Sequence, residues 1–425
     1  MRIAVVSWSR RKVGGLESYL GQAIPGLLRA GHAVGFWHET DEPADRGEIE
    51  LPAGVEAWSA ADLGALDALR VLRDWRPEVI YAHGLLDPEL EAGTLAVAPA
   101  VFLAHGYYGT CISGGKTFKS PVVTPCNRRF GWQCLLHYYP HRCGGWSPVT
   151  MFREYRRQSR RLELLRRYGA IVTLSEHMRS EYLRHGFTPD CVYNLSSYVS
   201  RLRSGSGVAV EVRPADAAGR SSTNLSAPDT SSIQRENTWR LLFLGRMDLL
   251  KGGRVFLEAL PRVRMSLGQP LRVTLAGDGP DRQVWERKAA QLQARDEGLV
   301  IEFVGWVADS QLSSLLGGCD LLVLPSLWPE PFGLVGLEAG LHGVPTAAFA
   351  VGGIPEWLID GVNGYLAPGN PPTTAGLAQA IVDCLRDRAA GRHFRLGAME
   401  MARRFDIDHH VAALQEVFAR VSDSR

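Results

Sequence analysis

Two glutamates in residues 329–340, the stretch PEPFGLVGLEAG, are the first candidates for chemistry. Glu330 and Glu338 stand on either side of seven small or apolar residues, and carboxylates are costly among apolar neighbours unless they have partners. Pro331 suits the first position of a helix, so the backbone N–H groups of residues 332–334 would face an anion at a helix start. This layout fits a phosphate flanked by hydroxyls, as in a nucleotide sugar. A helix with a capping acid and one solvated glutamate is the alternative.

Two cations occur in the stretch FLGRMDLLKGG of the same half of the chain. Arg246 and Lys251 are five residues apart. Together they could close on a diphosphate, the arginine as a fork and the lysine as a point charge. Most arginines and lysines are instead solvated surface residues. Their position directly after a predicted strand favours the binding interpretation.

Two glycine-bearing turns could bring backbone close to the same ligand. AGDGP contains Asp278 and Gly279 after a predicted strand, and VGGLES contains Gly14 and Gly15 between the first predicted strand and a helix. Backbone N–H groups in such places can bind phosphate. Ordinary turns explain both stretches equally well.

The elements that would position these residues alternate between strand and helix. Short runs that are apolar on both faces are typical of buried parallel strands; they are RIAVVSW, AVGFWHE, VIYAHG, AVFLAHG and AIVTLS, then WRLLFLGR, LRVTLAG, VIEFVG, DLLVLPS and PTAAFAV. Two such series with helical stretches between the runs predict an α/β protein of two doubly wound, Rossmann-like domains. Ligands of such sheets bind at the carboxyl ends of the strands, where His105, Arg246, Asp278 and Glu330 fall.

These stretches together resemble the family-4 retaining glycosyltransferases. GRMDLLKG, AGDGP, FVGWV, EPFGLVGLEAG and GGIPEWLIDGVNGYL follow the order and spacing of that family, and VGGLES, AGHAV, VIYAHG, FLAHG and VTLSEHMRS agree less densely in the first half. The resemblance spans nearly the whole chain. It implies the GT-B architecture, in which two doubly wound domains face each other across a cleft.

The resemblance also implies a role for each candidate residue. Glu338 would hold the ribose hydroxyls of the donor, and Glu330 would hold hydroxyls of the donor sugar. Arg246 and Lys251 would neutralise the leaving diphosphate, and His105 would lie beside the reacting sugar. The other donor-binding positions that it implies are Gly14, Gly15, Asp278, Gly279, Val304, Trp306, Phe332, Gly333 and Leu334.

The implied reaction moves a sugar from a nucleoside-diphosphate sugar to an acceptor hydroxyl, with retention of configuration and no required metal or other cofactor. Catalysis would then be mainly charge stabilisation and positioning. The expected partners are the nucleotide sugar and a glycan, lipid-linked or small-molecule acceptor. The alternatives are a sugar-nucleotide epimerase and a non-catalytic nucleotide-sugar binding protein. A glycoside hydrolase would need two carboxylates across a sugar bond and no diphosphate cations.

The predicted organisation has four parts. Residues 1–200 form an acceptor-side domain, residues 203–237 a flexible linker rich in Ser, Gly, Ala and Pro, residues 238–405 the nucleotide-sugar-binding domain, and residues 406–425 a helix that packs back toward the first domain. Composition and a net charge of +2 indicate a globular protein that does not bind nucleic acid. We expect a cytoplasmic location, since neither a secretory signal nor a membrane-spanning run is evident.

A cysteine-rich segment departs from the family pattern. Cys111, Cys126, Cys134 and Cys143 fall close together in sequence, and four thiols could hold a structural zinc ion. Unpaired buried thiols are the alternative, because the segment has no C-x-x-C pair. The segment would shape the choice of acceptor in either case.

A basic segment follows at residues 151–169, with seven arginines and two glutamates. Peripheral contact with an anionic membrane on its cytoplasmic side would suit such a helix, with an apolar stripe formed by Met151, Phe152, Tyr155, Leu162 and Leu165. The alternative is a solvated basic face whose stripe packs into the core.

Overall fold

Short runs of Val, Ile, Leu and Phe form the strands of two parallel sheets. The structure, a computed structural model, describes residues 1–12, 14–43, 47–196 and 238–423. The predicted linker at residues 203–237 lies outside these ranges. Within them, no helix combines the length and the apolar composition that crossing a membrane requires.

The first half of the chain contains strands β1 Arg2–Ser9, β2 Ala33–Thr40, β3 Glu56–Ser59, β4 Val79–Ala82, β5 Ala100–Ala104, β6 Thr117–Phe118, β7 Thr124–Pro125, β8 Ala170–Thr173 and β9 Val192–Asn194. Seven of them form a parallel sheet in the order β3-β2-β1-β4-β5-β8-β9, while β6 and β7 form a separate antiparallel ribbon. The helices of this half are α1 Gly15–Arg29, α2 Ala60–Leu63, α3 Ala65–Asp74, α4 Pro88–Thr94, α5 Gln133–His137, α6 Pro148–Leu165 and α7 Glu176–Arg184.

The second half repeats this plan with strands β10 Trp239–Leu244, β11 Leu271–Ala276, β12 Leu299–Gly305, β13 Leu321–Leu324, β14 Thr346–Phe349 and β15 Gly364–Ala367. They form a parallel sheet in the order β12-β11-β10-β13-β14-β15. The helices are α8 Gly253–Leu267, α9 Arg282–Gln293, α10 Asp309–Gly317, α11 Leu334–Leu341, α12 Thr374–Leu385, α13 Arg388–Arg403 and α14 Ile407–Asp423. The predicted α/β fold with two doubly wound sheets is confirmed.

The strand orders explain where the candidate residues collect. In each parallel sheet the order in which strands are added reverses once, between β1 and β4 in the first and between β10 and β13 in the second. Loops on either side of such a switch point leave a crevice for ligand. The loops after β10 and β13 carry Arg246, Lys251 and Glu330, and the loop after β1 carries Gly14.

The C-terminal helix lies on the first domain although it follows the second in sequence. It contacts α1, β4 and β5. Phe418 is fully buried and packs edge-on against Tyr81, with ring centroids 5.2 Å apart. Arg29 Nη2 lies 3.1 Å from Asp408 Oδ1 at the start of the helix. These contacts tie the two halves of the chain together beside the first switch point.

Helix α6 places most of its predicted apolar stripe in the core. Met151 and Leu165 are buried, Tyr155 and Leu162 are half-buried, and only Phe152 of the five is exposed. Arg160 pairs with Glu89 and Glu163. This arrangement corresponds to a solvated basic face over a packed stripe, so the stripe is not free to enter a membrane.

Candidate active site

A buried ion pair forms the centre of the second domain's crevice. Glu330 is 5% exposed, and its Oε1 accepts hydrogen bonds from Lys251 Nζ at 2.7 Å and from Ser326 Oγ at 2.5 Å. Lys251 also lies over the ring of Trp328, with its Nζ 5.5 Å from the ring centroid. The structure therefore joins two residues that are 79 positions apart in sequence.

Asp248 organises the loop that carries both predicted cations. Its Oδ1 accepts from the backbone N–H groups of Leu250 and Lys251, each at 3.0 Å. Its Oδ2 accepts from Arg246 Nε at 2.7 Å. The Arg246 side chain is 69% exposed, so its guanidinium is fixed through Nε while most of the group stays open to solvent. Sequence reasoning missed Asp248, although it stands between the two cations in the motif.

A glycine pair holds the backbone of Glu330 from the far side. Gly353 donates its N–H to Glu330 O at 2.8 Å. Gly352 has a φ of +60°, and a Cβ built there would lie 2.0 Å from the same oxygen. A side chain at residue 352 would therefore displace Glu330. The predictions did not include this pair, which lies more than twenty residues beyond the carboxylate.

Helix α11 begins later than the sequence predicts. Pro331 was expected at its first position, but the helix starts at Leu334 with Gly333 as its N-cap at φ +86°. Phe332 is buried, and its carbonyl accepts from Trp357 Nε1 at 2.7 Å. The residue with a positive φ interrupts the backbone before the helix can form. Glu338 lies half-buried on the second turn.

The glycine turn of the first domain faces this helix start. A Cβ built on Gly15 would lie 3.9 Å from Leu334 Cδ1, so the two stretches line opposite walls of the cleft. The Gly14 N–H is already bound to Glu17 Oε2 at 2.7 Å, and Gly15 is the first residue of α1. A phosphate in the cleft would thus meet the Gly15 end of the helix more readily than the Gly14 N–H.

His105 lies at the end of β5 within a cluster of aromatic and imidazole rings. Its Nε2 is 2.9 Å from His83 Nδ1, and its ring lies edge-on to Tyr19, with centroids 5.3 Å apart. Tyr19 also hydrogen-bonds through its hydroxyl to His410 Nε2 at 2.8 Å. Burial lowers the pKa of His105 to about 3, with a further contribution from His410, so the imidazole is neutral at ordinary pH.

Two further contacts close the cleft and were absent from the sequence predictions. Tyr107 donates its hydroxyl hydrogen to Pro329 O at 2.8 Å, which links the loop after β5 to the residue before Glu330. Glu356 accepts the backbone N–H of His177 at 3.1 Å. The tyrosines of the stretch HGYYG could have indicated the first contact, because a buried tyrosine hydroxyl usually finds a hydrogen-bond partner.

The remaining predicted donor-binding residues lie in the loop after β11 and at the end of β12. Asp278 binds the Gly279 N–H and lies 3.6 Å from Arg282, so its carboxylate is engaged within its own loop. Val304 and Trp306 are both about half exposed. They border a cavity of about 570 Å³ that extends under α10, away from the Glu330–Lys251 pair. Neither Glu330 nor Lys251 lines this cavity.

Of the four predicted cysteine ligands, Cys143 is buried and Cys111, Cys126 and Cys134 are partly exposed. Burial raises the pKa of Cys143 to about 12. Within the described ranges, no three His, Cys, Asp or Glu side chains are grouped closely enough to hold a metal ion. Zinc binding by these thiols stays a prediction, which metal analysis of the purified protein can test.

Comparison with known proteins agrees with the arrangement of the two domains. Residues 13–194 match the model of Glycosyltransferase Family 4, and residues 238–387 match that of Glycosyl transferases group 1. The chain is 34% identical over 397 residues to an uncharacterized glycosyltransferase of Methanocaldococcus jannaschii, covering 90% of each chain. It is 28% identical to the glycogen synthase of Mycobacterium tuberculosis H37Rv, over 98% of this chain and 94% of that one.

The same fold is found in a solved structure of Anabaena Alr3699/HepE in complex with UDP and glucose. The match has a TM-score of 0.63 at 19% identity and covers 99% of this chain and 100% of that chain. The family assignment rests on three observations: two doubly wound domains, a cleft lined by both switch points, and a family match in each half of the chain. The chain belongs to the family-4 glycosyltransferases and has the GT-B architecture.

Proposed function

We propose that this glycosyltransferase moves a sugar from a nucleoside-diphosphate sugar to an acceptor hydroxyl with retention of configuration. The observation that carries the proposal is the Glu330–Lys251 pair, 2.7 Å between Nζ and Oε1, at the switch point of the second sheet. The residue before Glu330 accepts a hydrogen bond from Tyr107, two residues after His105. A buried carboxylate orients sugar hydroxyls, and the neighbouring ammonium provides positive charge where a diphosphate departs.

The chemistry of the loops around this pair supports a nucleoside-diphosphate sugar as the donor. Lys251 and Arg246 would neutralise the diphosphate, and the N–H groups at the start of α11 would add partial positive charge. Glu338 would accept hydrogen bonds from the ribose hydroxyls, and the stretch from Val304 to Trp306 would contact the base. The UDP and glucose bound by the Anabaena protein support a nucleotide-sugar donor.

The acceptor would enter from the first domain. A cavity of about 290 Å³ adjoins His105 and is also lined by Tyr108, Gln158 and Arg161. Its volume suits a sugar ring or a comparable small group. His105, neutral because its pKa is about 3, can make a hydrogen bond to the donor sugar or to the incoming hydroxyl without adding charge.

In the proposed step, every bond and proton is accounted for without a metal or other cofactor. The bond between the anomeric carbon and the diphosphate oxygen breaks, and the acceptor oxygen forms its bond on the same face. The acceptor proton passes to an oxygen of the departing diphosphate. Arg246 and Lys251 stabilise the charge that develops there, and closure of the two domains holds the reactants in register.

A panel of nucleotide sugars tests this proposal, with thermal shift to report binding and nucleotide release to report turnover. We expect one donor class to stabilise the protein and to be consumed in the presence of an acceptor. The anomeric coupling constant of the product, measured by NMR, reports retention directly. Full turnover after exhaustive chelation is expected if no metal takes part.

Other outcomes would support a different function. Donor binding without consumption, over a broad range of acceptors, would indicate a non-catalytic nucleotide-sugar binding protein. Conversion of the donor into its sugar epimer without an acceptor would indicate an epimerase. Inversion at the anomeric carbon would contradict the same-face step.

A further inference from the structure

The segment between β5 and β8 has a charge very different from that of the whole chain. Residues 105–169 contain twelve lysines and arginines but only two acids, Glu154 and Glu163, whereas the chain has a net charge of +2. The excess of positive charge is therefore concentrated in one part of the first domain. Such a concentration attracts an anionic partner.

The same segment exposes an unusual number of large apolar side chains. Trp132, Leu136, Trp146, Val149 and Phe152 are each more than half exposed, with Trp146 at 71% and Val149 at 76%. We refer to these five residues as the aromatic face. Large exposed side chains are common singly, but a group of them on one segment indicates an interaction surface.

The aromatic face is built on ordered structure. Trp132 and Leu136 are one turn apart at α5, Val149 and Phe152 are one turn apart on α6, and the two helices contact each other. Trp146 stacks on Tyr139, with centroids 6.3 Å apart.

A small core of Ile112, Phe130, Tyr138, Cys143 and Met151 supports these helices from beneath. The exposed side chains are thus held outward by packing of their neighbours.

Four exposed arginines belong to the same segment as the aromatic face, and one of them contacts it. Arg128, Arg129, Arg142 and Arg156 are exposed, and none of the four has an ion pair with a carboxylate within the described residues. The Arg142 guanidinium lies 5.5 Å from the centroid of Trp146. Basic residues together with exposed Trp, Phe and Leu are typical of segments that lie at the surface of an anionic bilayer.

From these observations we propose that the aromatic face and its arginines dock the enzyme on an anionic lipid surface. Indole rings would lie among the headgroups while the arginines bind lipid phosphates. The face differs from the stripe predicted on residues 151–169, which packs inward apart from Phe152. It lies on the first domain. The proposal does not depend on the donor chemistry.

Vesicle flotation with the full-length protein tests the proposal. Vesicles of pure phosphatidylcholine are compared with vesicles containing one third phosphatidylglycerol, at low and high salt. We expect binding only to the anionic vesicles, weakened by salt. Arg128→Ser, Arg129→Ser and Arg142→Ser are each expected to lower the affinity about fivefold, from roughly 1 kcal/mol per cation near an anionic surface.

The apolar part of the face has matched controls elsewhere on the molecule. The double variant Trp132→Ser/Trp146→Ser should lose binding, while Leu66→Ser and Met265→Ser, at positions that are 82% and 79% exposed, should retain it. Brominated lipid should quench the fluorescence of the wild type more than that of the double variant. Thermal unfolding and donor binding serve as checks on folding for every variant.

Three results would overturn the proposal. Equal binding to neutral and anionic vesicles would remove the role of the arginines. Unchanged affinity of the double tryptophan variant would remove the aromatic face. A change in oligomeric state in that variant, measured by light scattering, would identify the face as a contact between copies of the chain.

Discussion

The most direct test of the site separates what the Glu330–Lys251 pair contributes to the stability of the fold from what it contributes to sugar transfer. The substitutions are Lys251→Met, Glu330→Gln and their combination. The Glu330 side chain is 6% exposed and that of Lys251 is 27% exposed. The pair is therefore intermediate between exposed ion pairs, worth up to about 1 kcal/mol, and fully buried ones, whose disruption costs about 3–5 kcal/mol. Lys251→Met should thus lower the free energy of unfolding by about 2 kcal/mol.

The double variant should behave differently in the two assays. A glutamine at residue 330 keeps the hydrogen bond to Ser326 and removes the unpaired charge, so the combination should recover roughly 1 kcal/mol or more of the lost stability. Transfer should not recover, because the cation beside the leaving diphosphate is still missing. Loss of one such charge typically lowers kcat about 100-fold to 1000-fold.

Urea unfolding and nucleotide release, measured on the same preparations, provide the two readouts. Lys288→Met on α9 is the control for removal of a lysine away from the crevice. If the double variant regained transfer together with stability, Lys251 would serve only to hold Glu330. Near-full turnover of Lys251→Met alone would contradict its assignment to the diphosphate.

Three further predictions concern the surroundings of the pair. Glu338→Gln should raise the donor KM about tenfold with little change in kcat, because a hydrogen bond to a charged group contributes about 1.5 kcal/mol; an unchanged KM would remove the ribose assignment. Burial lowers the pKa of His410 to about 4. The folded state therefore keeps His410 neutral while the unfolded state takes up a proton below about pH 6.5, so stability is lost as pH falls from there toward 4. In the His410→Asn variant, the free energy of unfolding measured in urea should fall by about 2 kcal/mol less than in the wild type between pH 7 and pH 5. Gly352→Ala should cost about 2 kcal/mol and reduce kcat, since its Cβ would meet Glu330 O. Gly54→Ala, with φ +89° and open space, controls for backbone strain alone, and equal effects of the two would show that contact with Glu330 is unimportant.

Local patterns predicted the sheets and the candidate loops well because those features depend on neighbouring residues. Each apolar run is complete within a few residues, and the alternation with helices determines the doubly wound class. The loop after β10 contains Arg246, Asp248 and Lys251 within six positions, so its chemistry can be read from one short stretch. Even there the role of Asp248 was missed, since aspartate in a turn has many uses.

Features that depend on distant residues could not be predicted in the same way. Gly352 contacts the backbone of Glu330 across a strand and a helix, and no local pattern states which loop it will meet. The start of α11 was misplaced because Pro331 is compatible with a first helical turn, while the positive φ at Gly333 depends on its packing against Ile354 and Trp357. Helix propensity is a weak guide where tertiary contacts choose the backbone.

The cluster around His105 brings together residues from opposite ends of the chain. His410 comes from the last helix of the chain, 391 residues after the tyrosine whose hydroxyl it bonds, and its Nδ1 is 3.3 Å from Ser196 O at the end of the first domain. Tyr19 connects this contact to His105 and stands on the helix that begins at Gly15. A helix from one half of the chain thus fixes the surroundings of a candidate catalytic group in the other. Because α14 packs on α1, β4 and β5, His410 belongs to the packing that keeps the His105 ring buried and neutral, and loss of this helix would expose both imidazoles to water.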